Sequence, residues 1–305
     1  PITIKQSLAE KLIGAAKAKT LKGRLATIAK IRPKELVPNF PQIAEPTTGE
    51  SMGESAERMA KENGISRADQ DAWALRSHRL AAAGTEDGRL RAEIAPLYVP
   101  RDFQKVVETD NGVRTDTSEE ALAKLRPAFD RRHGSVTAGN GSPLTDGGSA
   151  VVLMSEERVT ADGVEALGYI RSYAFAGLDP RGQLLQGPAY AAPLALDRAG
   201  VTMADIGLME MHEAFAAQVL SNLQALSSRS FAAAELGRGQ AVGHPDLDSI
   251  NVMGGSIAIG HPFGATGARL TTTLLHEMRR RDVDLGLVTV CAAGGLGFAM
   301  VLERG

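Results

Sequence analysis

The 305-residue sequence contains a single cysteine, Cys291, which excludes an intrachain disulfide framework. One cysteine fits a reducing compartment, and no signal-peptide pattern opens the chain, so we expect a cytoplasmic protein. No apolar run approaches the length of a membrane span. The formal net charge is only −2, so no overall basic field points to nucleic acid. Low-complexity tracts and short repeats are also missing. What remains is a globular chain long enough for two domains.

Basic residues are concentrated at the start of the chain. Residues 1–34 hold nine Lys and Arg against one acidic residue, Glu10. Apolar residues in this segment fall at helical spacing, which predicts a basic amphipathic helix interrupted near Lys22-Gly23. A solvated surface helix is the plainest interpretation. There are three more specific interpretations: a face for the phosphates of a ligand, a partner-subunit face, or a face for an anionic membrane. The sequence leaves all four interpretations open.

The middle of the chain is predicted to be mostly helix and loop. Cap signals predict helices over 54–62 and 66–83, and His78 on the second is expected to be a surface or packing residue. A short strand is predicted over 93–99, before a polar, irregular segment. The apolar run Ala150–Met154 predicts a strand that is buried on both faces.

From about residue 166 the pattern is that of a complete α/β unit, with strands and helices in alternation. The predicted strands are 167–175, 207–211, 285–291 and 296–303. The predicted helices are 188–199, 213–227 and 265–281.

Two glycine-rich stretches carry the candidate chemistry. Asn251–Leu270 contains His261, and Cys291–Leu302 opens on the only cysteine. A thiol and an imidazole in glycine-lined loops indicate thiol chemistry where backbone N–H groups face the reacting atoms. From the residues alone, Cys291 would be a nucleophile and His261 its base, although a buried inert cysteine and a turn histidine are common.

The same residues do not fit a metal site or a dinucleotide-binding loop. A metal site built from the cysteine, His261, His212 and His244 lacks ligand spacing. The glycines at 260, 264 and 267 do not have the spacing of a dinucleotide fingerprint.

Five motifs together resemble those of the thiolases, the 3-ketoacyl-CoA thiolase and acetyl-CoA acetyltransferase family. They are GGSIAIGHPFGATGARL, CAAGGLGFAMVLE, MHEAFAAQ, TAGNGSPLTDGGSAVVLMSEE and MGESAERMAKENGISRADQDAWALRSH. The last resembles the loop domain of that family. His212 in HEAFA, where many thiolases have Asn, resembles the branch that includes trifunctional-complex β subunits.

The resemblance implies an α/β fold of the layered αβαβα thiolase type, built from two similar halves. It assigns 1–134 to a loop domain with a basic N-terminal helix, 135–164 to the end of the N-terminal thiolase domain, and 165–305 to the C-terminal thiolase domain. The second half is expected to be whole. The part of the N-terminal half with the nucleophilic cysteine is expected to be missing from these residues.

The resemblance also implies a role for each candidate residue. Cys291 would be the acid/base that shuttles protons, and His261 would activate a different cysteine and help bind a substrate carbonyl oxygen. His212 matches the position that holds a water for the same oxyanion hole. The N–H of Ala293 would be a donor of the other hole, and Ser142 would contact CoA. We expect the cysteine and both histidines to converge on one pocket.

The implied function is acyl transfer in fatty-acid β-oxidation: thiolytic cleavage of 3-ketoacyl-CoA, or the reverse Claisen condensation. It requires no metal and no cofactor, with coenzyme A as substrate. A homodimer or tetramer is expected, a trifunctional α-subunit is a candidate partner, and no nucleic acid is involved. Two alternatives stay open: a non-catalytic module that binds CoA esters or a partner, and a thioesterase with Cys291 as nucleophile.

Overall fold

The structure is a computed structural model that describes residues 4–38 and 44–305. The chain divides into two compact units, Pro1–Ala44 and Glu45–Gly305. Within the described residues, no helix combines the length and the apolar character needed to cross a bilayer.

Among its described residues, 4–38 and 44, the first unit contains three helices: α1 (Gln6–Lys17), α2 (Leu21–Ile28) and α3 (Pro33–Leu36). The basic helix is interrupted as predicted, but a few residues before Lys22-Gly23. The chain breaks after Lys17, and Thr20 caps α2 by accepting a hydrogen bond from the Gly23 N–H at 3.2 Å. Because the cap fixes the start of α2, Gly23 lies inside its first turn.

The second unit contains all the strands and the other helices. In chain order its elements are α4 (Met52–Glu62), α5 (Arg67–Glu86), α6 (Arg89–Glu93), β1 (Leu97–Tyr98), β2 (Val106–Val107), α7 (Glu119–Ala123), α8 (Glu156–Asp162), β3 (Gly168–Gly177), α9 (Gly187–Ala199), β4 (Leu208–Met211), α10 (Ala216–Leu226), α11 (Arg229–Leu236), α12 (Ser256–Ile259), α13 (Thr266–Arg281), β5 (Leu285–Ala292) and β6 (Leu296–Arg304).

A mixed four-stranded sheet organises this unit, in the order β3-β6-β5-β4. The pairs β3–β6 and β6–β5 are antiparallel, and β5–β4 is parallel. Helix α9 packs on one face of the sheet and α13 on the other. The approach of α9 is very close, since a Cβ built on Gly297 would lie 2.3 Å from the carbonyl oxygen of Gly187. Glycine is therefore required at position 297 of β6, where this strand meets the start of the helix.

Side-chain alternation gives the sheet two apolar faces. Met209 and Leu287 belong to a core shared with α9 and α10, whereas Leu208 and Val288 belong to a core shared with α13. The four residues of β4 are all buried. The predicted α/β unit is thus present, and each of its four predicted strands is found within two residues of the predicted bounds at either end.

Several predicted elements differ from the structure. The run Ala150–Met154 is not a strand, and Val152 and Leu153 are 86% and 74% exposed. An apolar run forms a ladder only beside a partner strand, and no strand pairs with it among the described residues. The strand predicted over 93–99 is reduced to the two residues of β1, since the chain at residue 93 still belongs to α6. Helix α10 begins at Ala216 rather than at residue 213.

Helices α4 and α5 are integral to the second unit. Helix α10 packs against both of them, and α12 packs against α5. Trp73 and His78 of α5 are each 5% exposed. His78 Nδ1 lies 3.2 Å from the backbone N–H of Arg114. Burial lowers the pKa of His78, so its role is in packing.

Candidate active site

Two imidazole rings lie against each other where strand β4 and helix α12 end. His212 follows β4 directly, and His261 is the second residue after α12. Their ring centroids are 4.2 Å apart and the ring planes are inclined by 37°. His212 is 1% exposed. This pair is the centre of the candidate active site.

Backbone hydrogen bonds fix both histidines. The N–H of His212 donates to the carbonyl oxygen of Thr289 in β5 at 2.9 Å. The N–H of His261 donates to the carbonyl oxygen of Pro143 at 3.1 Å. Gly260, with φ 108°, makes this second contact close, since a Cβ there would lie 2.6 Å from the Thr145 side chain. The loop before residue 150 and the glycine loop are thereby joined beside the rings.

Ser142 lies in the same loop and is held next to the histidines. Its N–H donates to the carbonyl oxygen of Ala214 at 2.9 Å, two residues after His212. The residue is partly buried. The structure therefore brings Ser142 close to His212 and His261, and a CoA contact of Ser142 stays a prediction.

Both imidazoles are neutral at neutral pH for the same physical reason. Burial lowers the pKa of His212 well below its ordinary value, and His261 and Arg269 lower it further. Burial, and then Arg269, also lower the pKa of His261. His261 Nδ1 lies 2.8 Å from Thr266 Oγ1. Neutral imidazoles can each present one N–H donor and one lone pair.

Buried polar groups behind His212 form a chain. Ser256 Oγ lies 2.9 Å from His212 Nδ1 and accepts a hydrogen bond from Arg269 Nη2 at 3.0 Å. Arg269 Nη1 lies 3.5 Å from Glu210 Oε2. Burial raises the pKa of Glu210 to about 8, and the guanidinium only partly opposes this because it is not in hydrogen-bond contact with the carboxyl. Glu210 is thus mostly protonated at pH 7.

Cys291 has a different environment. Its side chain is 4% exposed and packs in an apolar cluster with Met59 of α4, Leu184 and Ala217 of α10. Alternation along β5 places Cys291 on the same side of this strand as Leu287. The two imidazoles converge as predicted. The convergence of the thiol with them stays a prediction.

Burial raises the pKa of the Cys291 thiol to about 12. At neutral pH the sulfur therefore carries its proton. A protonated thiol can donate a proton, but it is a poor nucleophile.

Ala293 lies in the tight turn between β5 and β6 and is exposed. Gly294 and Gly295 follow it with φ of 84° and 70°, which glycine adopts readily. Its predicted role as an oxyanion donor stays a prediction.

Sequence reasoning missed the part played by Glu213. This carboxylate is completely buried and accepts hydrogen bonds from Trp73 Nε1 at 2.9 Å, Ser77 Oγ at 2.7 Å, Asn251 Nδ2 at 2.8 Å and the N–H of Ile257 at 3.2 Å. It neither begins a helix nor orients the adjacent histidine. The signal was slight: one acidic residue in an otherwise apolar segment between β4 and α10.

No group of three or more His, Cys, Asp and Glu side chains in 4–38 and 44–305 has the arrangement of a metal site.

The raised pKa of Glu210 predicts how stability changes with pH. In the folded chain the pKa of Glu210 is about 8, above the ordinary value of 4.5. The contribution of this carboxyl to the free energy of unfolding therefore falls as the pH rises between these two values. The three histidines with lowered pKa values, His78, His212 and His261, act the other way, but only below about pH 6.5. Urea denaturation should therefore show stability decreasing by up to about 2 kcal/mol between about pH 6.5 and 8.

Glu210→Gln mimics the protonated carboxyl and should flatten this slope. The exposed Glu303→Gln serves as the matched control and should keep it. An unchanged slope in Glu210→Gln would contradict the assignment.

Comparisons with known proteins agree on one family. The model of the thiolase N-terminal domain matches residues 24–157, and that of the thiolase C-terminal domain matches 164–304. The chain belongs to the thiolase family.

Two curated relatives are called 3-ketoacyl-CoA thiolase. One from Yersinia enterocolitica is 53% identical over 303 residues, and one from Yersinia pestis is 54% identical. Each alignment covers 99% of this chain and 69% of the relative.

Solved structures share the fold. The acetyl-CoA acetyltransferase of Bacillus anthracis matches with a TM-score of 0.76 at 38% identity, covering 86% of this chain and 62% of that one. Human mitochondrial 3-ketoacyl-CoA thiolase in complex with CoA matches with a TM-score of 0.75 at 32% identity, covering 86% and 61%. The chain thus spans less than two thirds of the length of these two proteins.

Proposed function

We propose that this chain serves an acyltransferase that handles acyl-CoA thioesters, by thiolysis of a 3-ketoacyl-CoA or by the reverse condensation. The observation that carries the proposal is the pair of neutral imidazoles, the buried His212 and the partly buried His261, at the edge of a thiolase fold. Two N–H donors in a site of low polarity suit an oxygen on which negative charge develops.

Thiolysis produces such an oxygen. A thiolate attacks the 3-keto carbon, the bond between C2 and C3 breaks, and the departing acetyl-CoA carries the electron pair as an enolate. Its negative charge lies on the thioester oxygen, to which the two histidines would donate. A proton must then reach C2, and CoA must take the acyl group from the attacking sulfur.

The family resemblance alone gives Cys291 the role of proton donor. Its protonated thiol suits that role, and its side chain packs in the apolar cluster with Met59, Leu184 and Ala217. The nucleophilic cysteine of the family has no counterpart among these 305 residues. We therefore assign the oxyanion-binding part of the reaction to this chain.

A pair of matched ligands tests the proposal by calorimetry. Acetyl-CoA has the thioester oxygen, and the thioether S-ethyl-CoA lacks it. The chain should bind acetyl-CoA about five- to tenfold more tightly, the effect of one or two hydrogen bonds. His261→Ala should remove this preference, and the exposed His133→Ala should not. Equal affinities in the parent chain would contradict the proposal.

The second candidate is a non-catalytic thiolase-like module that binds CoA esters or a partner subunit. The enclosed, protonated thiol of Cys291 favours it, since acyl transfer needs a reactive thiolate. Participation in fatty-acid β-oxidation, a homodimer or tetramer, a trifunctional α-subunit partner and a cytoplasmic location belong to the proposal as well.

A further inference from the structure

The hydroxyl of Ser256 connects Arg269 with His212, and its hydrogen-bond geometry has a single consistent arrangement. A guanidinium has only N–H donors, so Arg269 must donate to Ser256 Oγ. The hydroxyl hydrogen then remains for one further bond. Elsewhere in the described chain, Ser256 Oγ forms no other hydrogen bond, and the residue is completely buried. The hydroxyl hydrogen is therefore directed to His212 Nδ1.

A donor at Ser256 makes His212 Nδ1 the acceptor. In a neutral imidazole one nitrogen accepts and the other carries the proton. His212 must then carry its proton on Nε2. If Nδ1 were protonated instead, it and the guanidinium would both donate to Oγ, and the buried hydroxyl hydrogen would lack a partner.

We propose that Arg269 and Ser256 are positioning residues that hold His212 in the Nε2–H tautomer, so that it presents a fixed hydrogen-bond donor beside His261. This inference rests on the proposed function for what the donor is used for: the carbonyl oxygen of a CoA thioester, or a water that binds it. The tautomer itself follows from the hydrogen bonds.

Two neighbouring residues, Glu210 and Ser256, fix the position of Arg269. Its side chain is 19% exposed, and its guanidinium lies between Glu210 of β4 and Ser256 of α12. Because β4 also leads directly to His212, one strand fixes both ends of the chain of polar groups. A site built from three neighbouring elements holds a donor more precisely than a loop residue does.

The tautomer can be measured directly by long-range proton–nitrogen correlation spectroscopy of the folded chain with ¹⁵N-labelled histidine. A bare imidazole nitrogen resonates far downfield of a protonated one. The signals of His212 are identified by their loss in His212→Asn. We expect Nδ1 to be bare and Nε2 protonated by more than about ten to one. Bare Nε2 with protonated Nδ1 in the parent chain would overturn the proposal without any variant.

Three variants separate positioning from a general structural effect. Ser256→Ala should produce a mixture of the two tautomers, because Nδ1 loses the hydroxyl that donates to it. Ser256→Thr keeps the hydroxyl and should keep the parent tautomer. Ser221→Ala removes a buried hydroxyl for which the described residues provide no hydrogen-bond partner, and should leave the His212 signals unchanged. An unmixed parent tautomer in Ser256→Ala would also overturn the proposal.

The same samples distinguish this inference from the proposed function. If the tautomer is as expected but the chain shows no preference for acetyl-CoA over S-ethyl-CoA, the function fails and the positioning stands. If the preference is present with Nδ1 protonated, the positioning fails and the function stands.

Discussion

Glu213→Ala should lower the free energy of unfolding of this chain by about 3–5 kcal/mol, and Glu213→Gln by about 2–4 kcal/mol. The carboxylate accepts four hydrogen bonds with no exposure to solvent. Removing it leaves the donors of Trp73, Ser77 and Asn251 unpaired in the interior. Glutamine keeps the shape but turns an N–H₂ group toward at least one of these donors.

Equilibrium unfolding in urea, followed by the fluorescence of the single tryptophan, measures this effect. The matched control is Glu86→Gln, an exposed carboxylate on the same helix that supplies Trp73 and Ser77. It should change stability by less than about 0.5 kcal/mol. Equal effects of the two glutamine variants would mean that the buried carboxylate does not organise this core.

In Glu213→Gln, the loss of stability should be accompanied by a loss of the proposed binding of the thioester oxygen at His212. A Cβ on Gly255 would lie 2.3 Å from the Glu213 carboxyl, and Ile257 donates its N–H to it. Ser256 lies between these two residues. The carboxylate therefore fixes the backbone that carries the hydroxyl behind His212.

The α/β unit could be predicted because the sequence pattern that indicates each strand or helix lies within that element. Strand β4 is a short, fully buried run, helix α13 repeats apolar residues at helical spacing, and Gly200 ends α9 in the left-handed conformation that a glycine adopts without strain. The motif residues His212 and His261 were found together as expected. In these segments the residues that determine the structure are close in sequence.

What could not be predicted depends on partners far along the chain. Glu213 and Trp73 are 140 positions apart, and nothing near either residue indicates that they meet. The local patterns likewise indicated a complete α/β unit only from about residue 166. The packing of α4 and α5 against α10 joins the earlier residues to it, so residues 45–305 form one compact unit.

The direction of the Cys291 side chain depends on register. Two residues at the ends of adjacent strands lie close in the backbone, yet a shift of one position turns a side chain to the other face. The sequence places Cys291 and His212 at strand ends, and the pairing of Met211 with Thr289 sets the register between their two strands.

The buried thiol of Cys291 should be unreactive in the folded chain. Incubated with acetyl-CoA at pH 7.5, the folded chain should remain unacylated at Cys291. With a pKa of about 12, the thiolate fraction is roughly three to four orders of magnitude lower than that of an ordinary thiol. The more basic thiolate is intrinsically a better nucleophile, which recovers about one to two of these orders. The net loss is still about a hundredfold, before the enclosure of the sulfur is counted.

Intact-mass spectrometry over time gives the rate, with iodoacetamide as a second, smaller electrophile. The chain unfolded in urea is the positive control, because its only thiol is then exposed, and Cys291→Ala corrects for reaction at other residues. We expect the folded chain to react at least about a hundredfold more slowly than the unfolded one with both reagents. Stoichiometric acetylation of the folded chain would instead make Cys291 a nucleophile and favour a thioesterase. Slow reaction would mean that the Cys291 thiol is a proton donor or a packing residue, as its burial indicates. Any acyl transfer would then use a sulfur other than that of Cys291.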